Sequence, residues 1–460
     1  MNQNKQHEAS FRDNCGYVFV KDNVIYRRVN SVYKKNYDLL MESGLYKKLV
    51  DKKMLVPHVE VDSMEFFGSD NRDVYKCIKP RQIPYISYPY EWSFSQYKDA
   101  AILTLEIQKM ALENGMTLKD ASAYNIQFFE GKPVFIDTLS FEKYEKGKAW
   151  IAYQQFCQHF LAPLALMAYT DVRLSVLMRD YIDGIPLDLA SQILPMRTRF
   201  KPSIMMHIHM HAKSQKKYAD KKVGEQKSIS AFSLNAIIDG LQNAVQSLKW
   251  NPVGTEWGEY YTFTNYSDSA FQTKKDIIKS YIQEANPQMV WDIGANNGEF
   301  SALSSEKGIF TVAYDIDSVA VEKGYLRARE SGEKNLLPLF LDLTNPTPGI
   351  GWQNTERSSF IDRGPVDMVY ALALIHHISI SHNMPFYKVA EMFAKISKWL
   401  VIEFVPKEDS QVQKLLQNRE DIFPQYTKEY FEKEFKKYFE IHRADKVEGS
   451  LRTLYLMKKI

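Results

Sequence analysis

The strongest constraint on the fold is the stretch "MVWDIGANNGEF", which runs from Met289 to Phe300. An apolar run reaches Asp292 and then enters a loop in which Gly294 and Gly298 enclose two asparagines. This pattern is typical of a buried parallel strand that passes through a ligand-binding turn into a helix. The glycine spacing is not that of a dinucleotide fold, and no lysine follows to indicate a phosphate-binding P-loop. The loop therefore favours a flat polar ligand without phosphates, with an ordinary strand-to-helix turn as the alternative.

Strand and helix signals alternate from Phe271 to the end of the chain, which predicts a mostly parallel α/β sheet. Acids stand where successive apolar runs end: Asp315 closes "FTVAYD" and Asp342 follows "NLLPLFL". Ligands of open α/β sheets bind at this carboxyl edge, and an acid about 20 residues after the glycine loop commonly binds ribose hydroxyls. We therefore expect Asp315 to bind a ribose and Asp342 to accept a hydrogen bond from an adenine amino group. Capping of the next helix is the alternative for both.

The stretches "VWDIGANNGEF", "AYDID", "LDL" and "VDMVYALALIHHI", in this order, resemble the class I methyltransferases that use S-adenosylmethionine. The resemblance covers 271–460 and implies a Rossmann-like, mostly parallel sheet of seven strands, closed by an antiparallel pair near the end. It implies a loop that contacts the methionine part of the cofactor and an acid that binds the ribose. It also implies residues that frame the adenine and a backbone position beside the sulfonium. The residues that it implies for the cofactor are Asp292, Gly294, Asn296, Gly298, Asp315, Ile316, Asp342, Leu343 and Ala371.

Two further groups of residues are candidates for chemistry in this half. A hydroxyl acceptor needs a group that takes its proton near neutral pH, and His376 or His377 is the candidate base. The alternative is that one of the two histidines only packs or binds backbone. Lys274 and Lys275, at the start of the preceding helix, are candidates to pair with the cofactor's carboxylate.

The N-terminal half carries a second pattern, "LKDASAYNIQFFEGKPVFID". Asp120, Asn125 and Asp137 resemble the core of protein-kinase-like phosphotransferases, in which such residues accept a hydroxyl proton and hold magnesium. The motif departs from that family: Leu118 and Lys119 precede the first aspartate, "DTL" replaces Asp-Phe-Gly, and no glycine-rich loop is evident. We predict an α+β, kinase-like domain that has lost phosphoryl transfer and recognises the acceptor. An active kinase is the alternative.

The chain is predicted to have three parts. Residues 1–212 form the kinase-like accessory domain, 213–270 a lysine-rich linker with a helix and an aromatic stretch, and 271–460 the methyltransferase domain. Just before the linker, "HIHMH" would place three histidines on one face if it were a strand. No further ligand accompanies them, so we predict no metal site. The three residues are His207, His209 and His211.

Composition narrows the class of protein. Net charge is +3, from 59 basic and 56 acidic residues, so nucleic acid is not indicated as a partner. The apolar stretch Phe160 to Tyr169 is shorter than the roughly 20 residues that cross a bilayer, and the three cysteines indicate no disulfide framework. We predict a cytoplasmic bacterial enzyme with an unidentified acceptor, such as a small molecule or glycan, and leave the oligomeric state open. The alternatives are a bifunctional kinase–methyltransferase and a regulator that binds the cofactor without turnover. The whole chain also resembles bacterial methyltransferases associated with nodulation.

Overall fold

A computed structural model describes residues 5–68, 73–213, 228–254, 268–417 and 420–460. The chain forms two compact units. The first comprises Met1–Asn251 and Gly351–Arg357, and the second comprises Pro252–Ile350 and Ser358–Ile460. Most of the predicted lysine-rich linker and of the aromatic stretch before Phe271 lies outside the described residues, and the boundaries at 212 and 270 stay predictions.

The N-terminal unit begins with an antiparallel five-stranded sheet in the order β1-β2-β3-β5-β4. Its strands are β1 Lys5–Gln6, β2 Gly16–Lys21, β3 Val24–Asn30, β4 His58–Val61 and β5 Val74–Pro80. The segment "GYVFVKDNVIYRRV" has β-rich runs on both sides of turn residues, and β2 and β3 pair there as a hairpin around Asp22 and Asn23, both in the left-handed conformation of a tight turn. Two helices lie between β3 and β4, Lys34–Glu42 and Leu45–Asp51. The break falls at Gly44, whose φ of +74° interrupts a right-handed helix.

The rest of this unit is mainly helical. The helix Phe94–Glu113 begins at Ser93, whose hydroxyl accepts a hydrogen bond from the Gln96 N–H. Two short antiparallel pairs follow, β6 Met116–Leu118 with β9 Phe141–Lys143 and β7 Ile126–Phe129 with β8 Lys132–Phe135. The other α-helices are Met64–Phe67, Tyr153–Phe156, Ala162–Tyr169, Leu177–Asp180, Leu187–Ile193, Pro202–Ile204 and Ala231–Ser247. Among the described residues, no helix is long and apolar enough to cross a membrane.

The C-terminal unit contains a seven-stranded sheet in the order β12-β11-β10-β13-β14-β16-β15. Its strands are β10 Met289–Ile293, β11 Phe310–Asp315, β12 Leu336–Phe340, β13 Val366–Ala371, β14 Ser397–Phe404, β15 Phe439–Lys446 and β16 Thr453–Lys459. The first five are parallel, and β16 is antiparallel to both β14 and β15. The predicted mostly parallel sheet with an antiparallel closing pair is therefore confirmed.

The helices of this unit are Asp268–Ala285, Ala302–Ser305, Ser318–Ser331, Phe386–Ile396, Ser410–Leu416 and Lys428–Phe435. The central strands β10 and β13 are buried along almost their whole length, because parallel strands in such a sheet are covered on both faces. Strand order then fixes the sequence of groups along the carboxyl edge. The ends of β12, β11, β10 and β13 follow one another there, and the predicted cofactor residues stand at these four ends.

Candidate cofactor site at the carboxyl edge of the C-terminal sheet

The loop after β10 has three residues with left-handed backbone, Gly294, Asn296 and Gly298, with φ of +78°, +52° and +86°. Glycine adopts this conformation without a Cβ clash, and asparagine is one of the few other residues that visits it readily. The N–H groups of Gly294 and Ala295 both donate to the Tyr314 carbonyl at 2.9 Å, which ties the loop to β11. The local geometry explains why "GANNG" stands here.

Asp315 ends β11 with its side chain almost fully buried, at 8% exposure. One carboxylate oxygen accepts the Asn296 N–H at 2.7 Å, and the other accepts the Asp317 N–H at 2.8 Å. Burial raises the pKa of Asp315 to about 6, although the backbone hydrogen bonds oppose the rise. The fold thus holds a carboxylate in one orientation at the cavity wall, with lone pairs left for hydroxyl donors.

Asp292 lies inside the sheet in β10 and is 1% exposed. The Ser301 hydroxyl donates to it at 2.6 Å. Burial raises the pKa of Asp292 to about 7, while Ser301 and the charge of Lys274 oppose the rise. A group with this pKa changes its charge near neutral pH, so its protonation depends on what binds beside it.

A cavity of about 390 Å³ opens at this edge of the C-terminal sheet. This volume lies within the usual range for small-molecule sites. Its walls include eight of the residues predicted for the site: Asp292, Gly294, Asn296, Asp315, Ile316, Asp342, Leu343 and His377. Gly298, Ala371 and His376 are not among the residues that line it. Gly298 instead turns the loop, with Arg327 close to the space that a Cβ would fill, and Ala371 is the buried last residue of β13.

One end of the cavity is formed by residues that follow β11 and β12. Ile316 is half-exposed, at 51%, and Leu343 also faces the cavity. The Asp342 carboxylate accepts the N–H and the hydroxyl of Thr344, at 2.9 and 2.6 Å, through the same oxygen. Two apolar side chains and a fixed carboxylate are suited to a flat, polar-edged ring.

The two candidate histidines differ in position. His376 is 1% exposed and lies behind the wall, and burial holds its pKa well below the usual value. His377 lines the cavity, and burial lowers its pKa to about 4, with the charges of Arg452 and His382 adding to the effect. Their rings are 4.1 Å apart. Only His377 of the pair faces the cavity.

A buried ion pair that the sequence pattern did not indicate lies at the cavity wall, where Lys274 is one of the lining residues. Lys274 Nζ is 2.7 Å from Glu403 Oε2, and both side chains are at most 2% exposed. Glu403 Oε2 also accepts the Ala373 N–H at 2.7 Å, and Ala373 has a strained φ of +49° for a residue other than glycine. Lys274 thus lines the cavity while its ammonium is paired with an internal carboxylate, and Lys275 Nζ lies 3.5 Å from Glu299 Oε2.

Several other cavity residues were missed by the sequence analysis. They are Phe271, Phe300, Leu341, Leu372, Leu374, Ile378, Ser381, His382 and Leu415. Apolar side chains have no local signature that separates a ligand wall from a core, so only the tertiary contacts identify them. The exception is the segment 372–382. It directly follows the parallel strand that ends in "VDMVYA", and residues after such a strand lie at the ligand-binding edge of the sheet.

The three polar residues of the N-terminal pattern meet within their own unit. Asn125 hydrogen-bonds Asp120, whose pKa is raised by burial and by the charge of Asp137. Asp137 accepts the Ser140 hydroxyl at 2.6 Å, and its other oxygen is 2.7 Å from Arg27 Nη1 on β3. A guanidinium thus neutralises Asp137 in this unit.

The histidine triplet is not on a strand. The segment Met205–Met210 is a π-helical turn, so its side chains diverge. His207 contacts the Tyr153 hydroxyl at 2.7 Å, whereas His209 lies between the hydroxyls of Ser191 and Thr198. Within the described ranges, no group of three or more His, Cys, Asp or Glu residues is arranged to hold a metal ion.

The residues at the sheet edge fit S-adenosylmethionine, the cofactor that the resemblance implied. The fit rests on a buried acid held by two N–H groups, a loop with left-handed residues that lines the cavity, and an apolar frame beside a second acid. The strand order, with its reversed β16, is that of the predicted class I methyltransferase sheet. The C-terminal half therefore has the predicted methyltransferase fold.

Comparison with known proteins gives one full-length relative. No protein-family model matches the chain. The nodulation protein NoeA of Rhizobium meliloti (strain 1021) is 32% identical over 462 residues, which cover 98% of this chain and 95% of NoeA. Its name specifies no activity.

Three similar solved structures each match less than half of this chain. The methyltransferase ChlM of Synechocystis PCC 6803, which acts on magnesium protoporphyrin IX and was crystallised with bound SAH, is 15% identical. That match covers 44% of this chain and 93% of ChlM, with a TM-score of 0.32. WbdD in complex with the kinase inhibitor LY294002 is 16% identical, covers 42% of this chain and 41% of WbdD, and has a TM-score of 0.29. The PH0226 protein of Pyrococcus horikoshii OT3 is 17% identical over 45% of this chain and all of PH0226, at a TM-score of 0.33.

Proposed function

The chain belongs to the family of the nodulation protein NoeA, and we propose that it is a methyltransferase that uses S-adenosylmethionine. One observation carries the proposal: a cavity at the carboxyl edge of a seven-stranded methyltransferase sheet contains a buried, doubly anchored acid at the end of β11. Ligands of open α/β sheets bind at this edge. The acceptor is unidentified, and a small molecule or a glycan is our proposal.

Each predicted cofactor residue has a role in the proposal. Asp315 accepts hydrogen bonds from the ribose hydroxyls. Ile316 and Leu343 pack against the adenine, and Asp342 accepts a hydrogen bond from its amino group. On the methionine side the proposal assigns contacts to Asp292, Gly294 and Asn296, which line the cavity. Gly298 shapes the loop and Ala371 ends β13, and neither of these two residues lines the cavity. The support for these roles is the order of the strand ends, since β12, β11, β10 and β13 are neighbours in the sheet.

Methyl transfer requires little from the protein beyond the correct placement of the two reactants. The cofactor supplies a methyl group that is already activated by its positive sulfur. The chain orients the two reactants, and proximity and orientation account for most of the acceleration. His377 holds the acceptor's proton if that acceptor must lose one, because it lines the cavity. His376 supports the neighbouring ring from behind the wall and is the second candidate that the sequence offered.

We propose that the N-terminal unit is a kinase-like scaffold without phosphoryl transfer, and that it recognises the acceptor or regulates the enzyme. The support for the scaffold is the five-stranded sheet, the helices between β3 and β4, and the contact of Asn125 with Asp120. The support for lost transfer is Arg27, whose guanidinium engages the carboxylate that would otherwise bind magnesium. The bifunctional kinase–methyltransferase is the second candidate, favoured by the meeting of Asp120, Asn125 and Asp137. A cytoplasmic location is also part of the proposal.

Two measurements test the function. Calorimetry with purified protein should give saturable binding of S-adenosylmethionine and of S-adenosylhomocysteine. Metabolites from a deletion strain and from wild type, compared by untargeted mass spectrometry, should differ by a species that carries one additional methyl group in wild type. Binding without any methylated product would instead favour the regulator that senses the cofactor without turnover.

A further inference from the structure

The cavity has a second end, opposite the adenine frame. In the sheet order, β11 and β12 lie on one side of β10 and β13 lies on the other. The segment after β13, residues 372–382, therefore lies on the other side of β10 from Asp342. Leu372, Ala373, Leu374, His377, Ile378, Ser381 and His382 line the cavity there. If the nucleoside lies at the ends of β11 and β12, this wall faces the reacting methyl group and the acceptor.

The charges of the cavity are distributed unevenly between its two ends. The carboxylates that line it are Asp292 in β10, Asp315 at the end of β11 and Asp342 shortly after β12. The lysine that lines it, Lys274, is paired with Glu403. Among the described residues that line the cavity after β13, none carries a carboxylate. Glu403 lies behind this wall, but it is fully buried and bound by Lys274 and by the Ala373 N–H.

This distribution bears on the nature of the acceptor atom. An amine is a cation at neutral pH, and it would enter an apolar wall beside the positive sulfonium with no carboxylate to compensate for lost hydration. A hydroxyl is neutral and needs only a group that takes its proton as the new bond forms. A neutral imidazole is such a group.

His377 has the position and the charge state for this task. Burial lowers its pKa to about 4, so the ring is neutral at physiological pH and can accept a proton. The charged and titratable groups that act on it are Arg452, His382 and the adjacent ring of His376. The charges of Arg452 and His382 add to burial in disfavouring the protonated imidazole, so the His377 ring stays neutral.

We propose that the acceptor is a hydroxyl group on an uncharged, partly apolar molecule or moiety, and that His377 takes its proton. The inference rests on the proposed methyltransferase function. In the step, a lone pair of the hydroxyl oxygen forms a bond to the methyl carbon. The carbon–sulfur bond breaks with its electron pair moving to sulfur, and the hydroxyl proton moves to the imidazole and then to water. The products are a methyl ether, the neutral thioether and solvated acid.

The test uses the full-length protein, S-adenosylmethionine labelled in its methyl group, and an extract of cells that lack the gene. Labelled products are heated with hydriodic acid under mild conditions, which releases O-methyl groups as volatile methyl iodide and leaves N- and C-methyl groups behind. We expect volatile label. We also expect His377→Asn to lower its formation about 100-fold or more, as loss of a general base does. Affinity for S-adenosylhomocysteine should stay within about threefold of wild type.

A matched substitution controls for the loss of a histidine elsewhere. His442→Asn removes an exposed ring that stacks on Trp399, away from the cavity, and should transfer label at the wild-type rate. Non-volatile label would overturn the hydroxyl inference and leave the proposed function intact. Volatile label at an undiminished rate in His377→Asn would overturn the role of His377. No label from any extract, with cofactor still bound, would overturn the proposed function itself.

Discussion

Asp315→Ala is the substitution that tests the cofactor site most directly. Each oxygen of the wild-type carboxylate already accepts one backbone N–H, so the side chain cannot rotate away from the cavity. A ribose would add one or two hydrogen bonds to a charged acceptor, and such bonds contribute about 1.5–3 kcal/mol each. We expect a net loss of about 2–4 kcal/mol in binding free energy, which is roughly a 30- to 1,000-fold rise in Kd.

The assay is calorimetric titration at pH 7.5, where Asp315 is ionised because its raised pKa is about 6. Comparison of S-adenosylhomocysteine with its 2′-deoxy analogue isolates the ribose contact. Wild type should discriminate between them, whereas the variant should bind both almost equally. Asp276→Ala, which removes an exposed acid on the helix Asp268–Ala285, is the matched control and should leave Kd unchanged.

The raised pKa of Asp315 also gives the direction in which cofactor affinity and protein stability change with pH. Affinity should fall as pH falls through about 6, because the protonated acid loses charge toward the hydroxyls. The stability of the free protein changes with pH in the opposite direction. The stability that protonated Asp315 contributes is complete below its ordinary pKa of 3.8 and is lost as pH rises through about 6, so the ionised acid weakens the fold. The Asp315→Ala variant should therefore stay folded at neutral pH. An unchanged Kd in this folded variant would refute the ribose assignment.

Three further predictions, with four substitutions, address other parts of the molecule. Gly294→Val should abolish cofactor binding in calorimetry, because a β-branched residue is strained at φ +78°, while hydrogen exchange in the N-terminal unit stays as in wild type. Glu403→Gln should lower the free energy of unfolding by about 3–5 kcal/mol, because Lys274 loses its buried partner. Adding Lys274→Met should restore most of this stability. A denaturant titration that finds no such rescue would contradict the reasoning. Wild type should show no magnesium-dependent hydrolysis of γ-labelled ATP, and Asp137→Asn should leave methyl transfer unchanged; phosphate transfer that disappears in this variant would make the protein bifunctional.

The sequence by itself determined the parts of the site that depend on local structure. The "GANNG" loop shows its left-handed positions through its residue types, and buried parallel strands appear as continuous apolar runs. Because parallel strands end at one edge, an acid after each run is enough to locate Asp292, Asp315 and Asp342 near one another. The N-terminal hairpin also follows from local sequence, because its turn residues lie next to the strands that they connect.

The tertiary structure alone decided which side chains face the cavity and which charges meet. Adjacent residues of a helical segment point in different directions, so His377 lines the cavity and His376 is buried behind it. Lys274 and Glu403 are 129 residues apart in sequence. They become an ion pair only when the helix Asp268–Ala285 packs against β14. Arg27 and Asp137 are likewise distant in sequence, and their contact neutralises Asp137, an acid whose motif alone suggested a magnesium ligand. Local patterns encode backbone conformation and burial, whereas pairing between distant charges depends on how the elements pack.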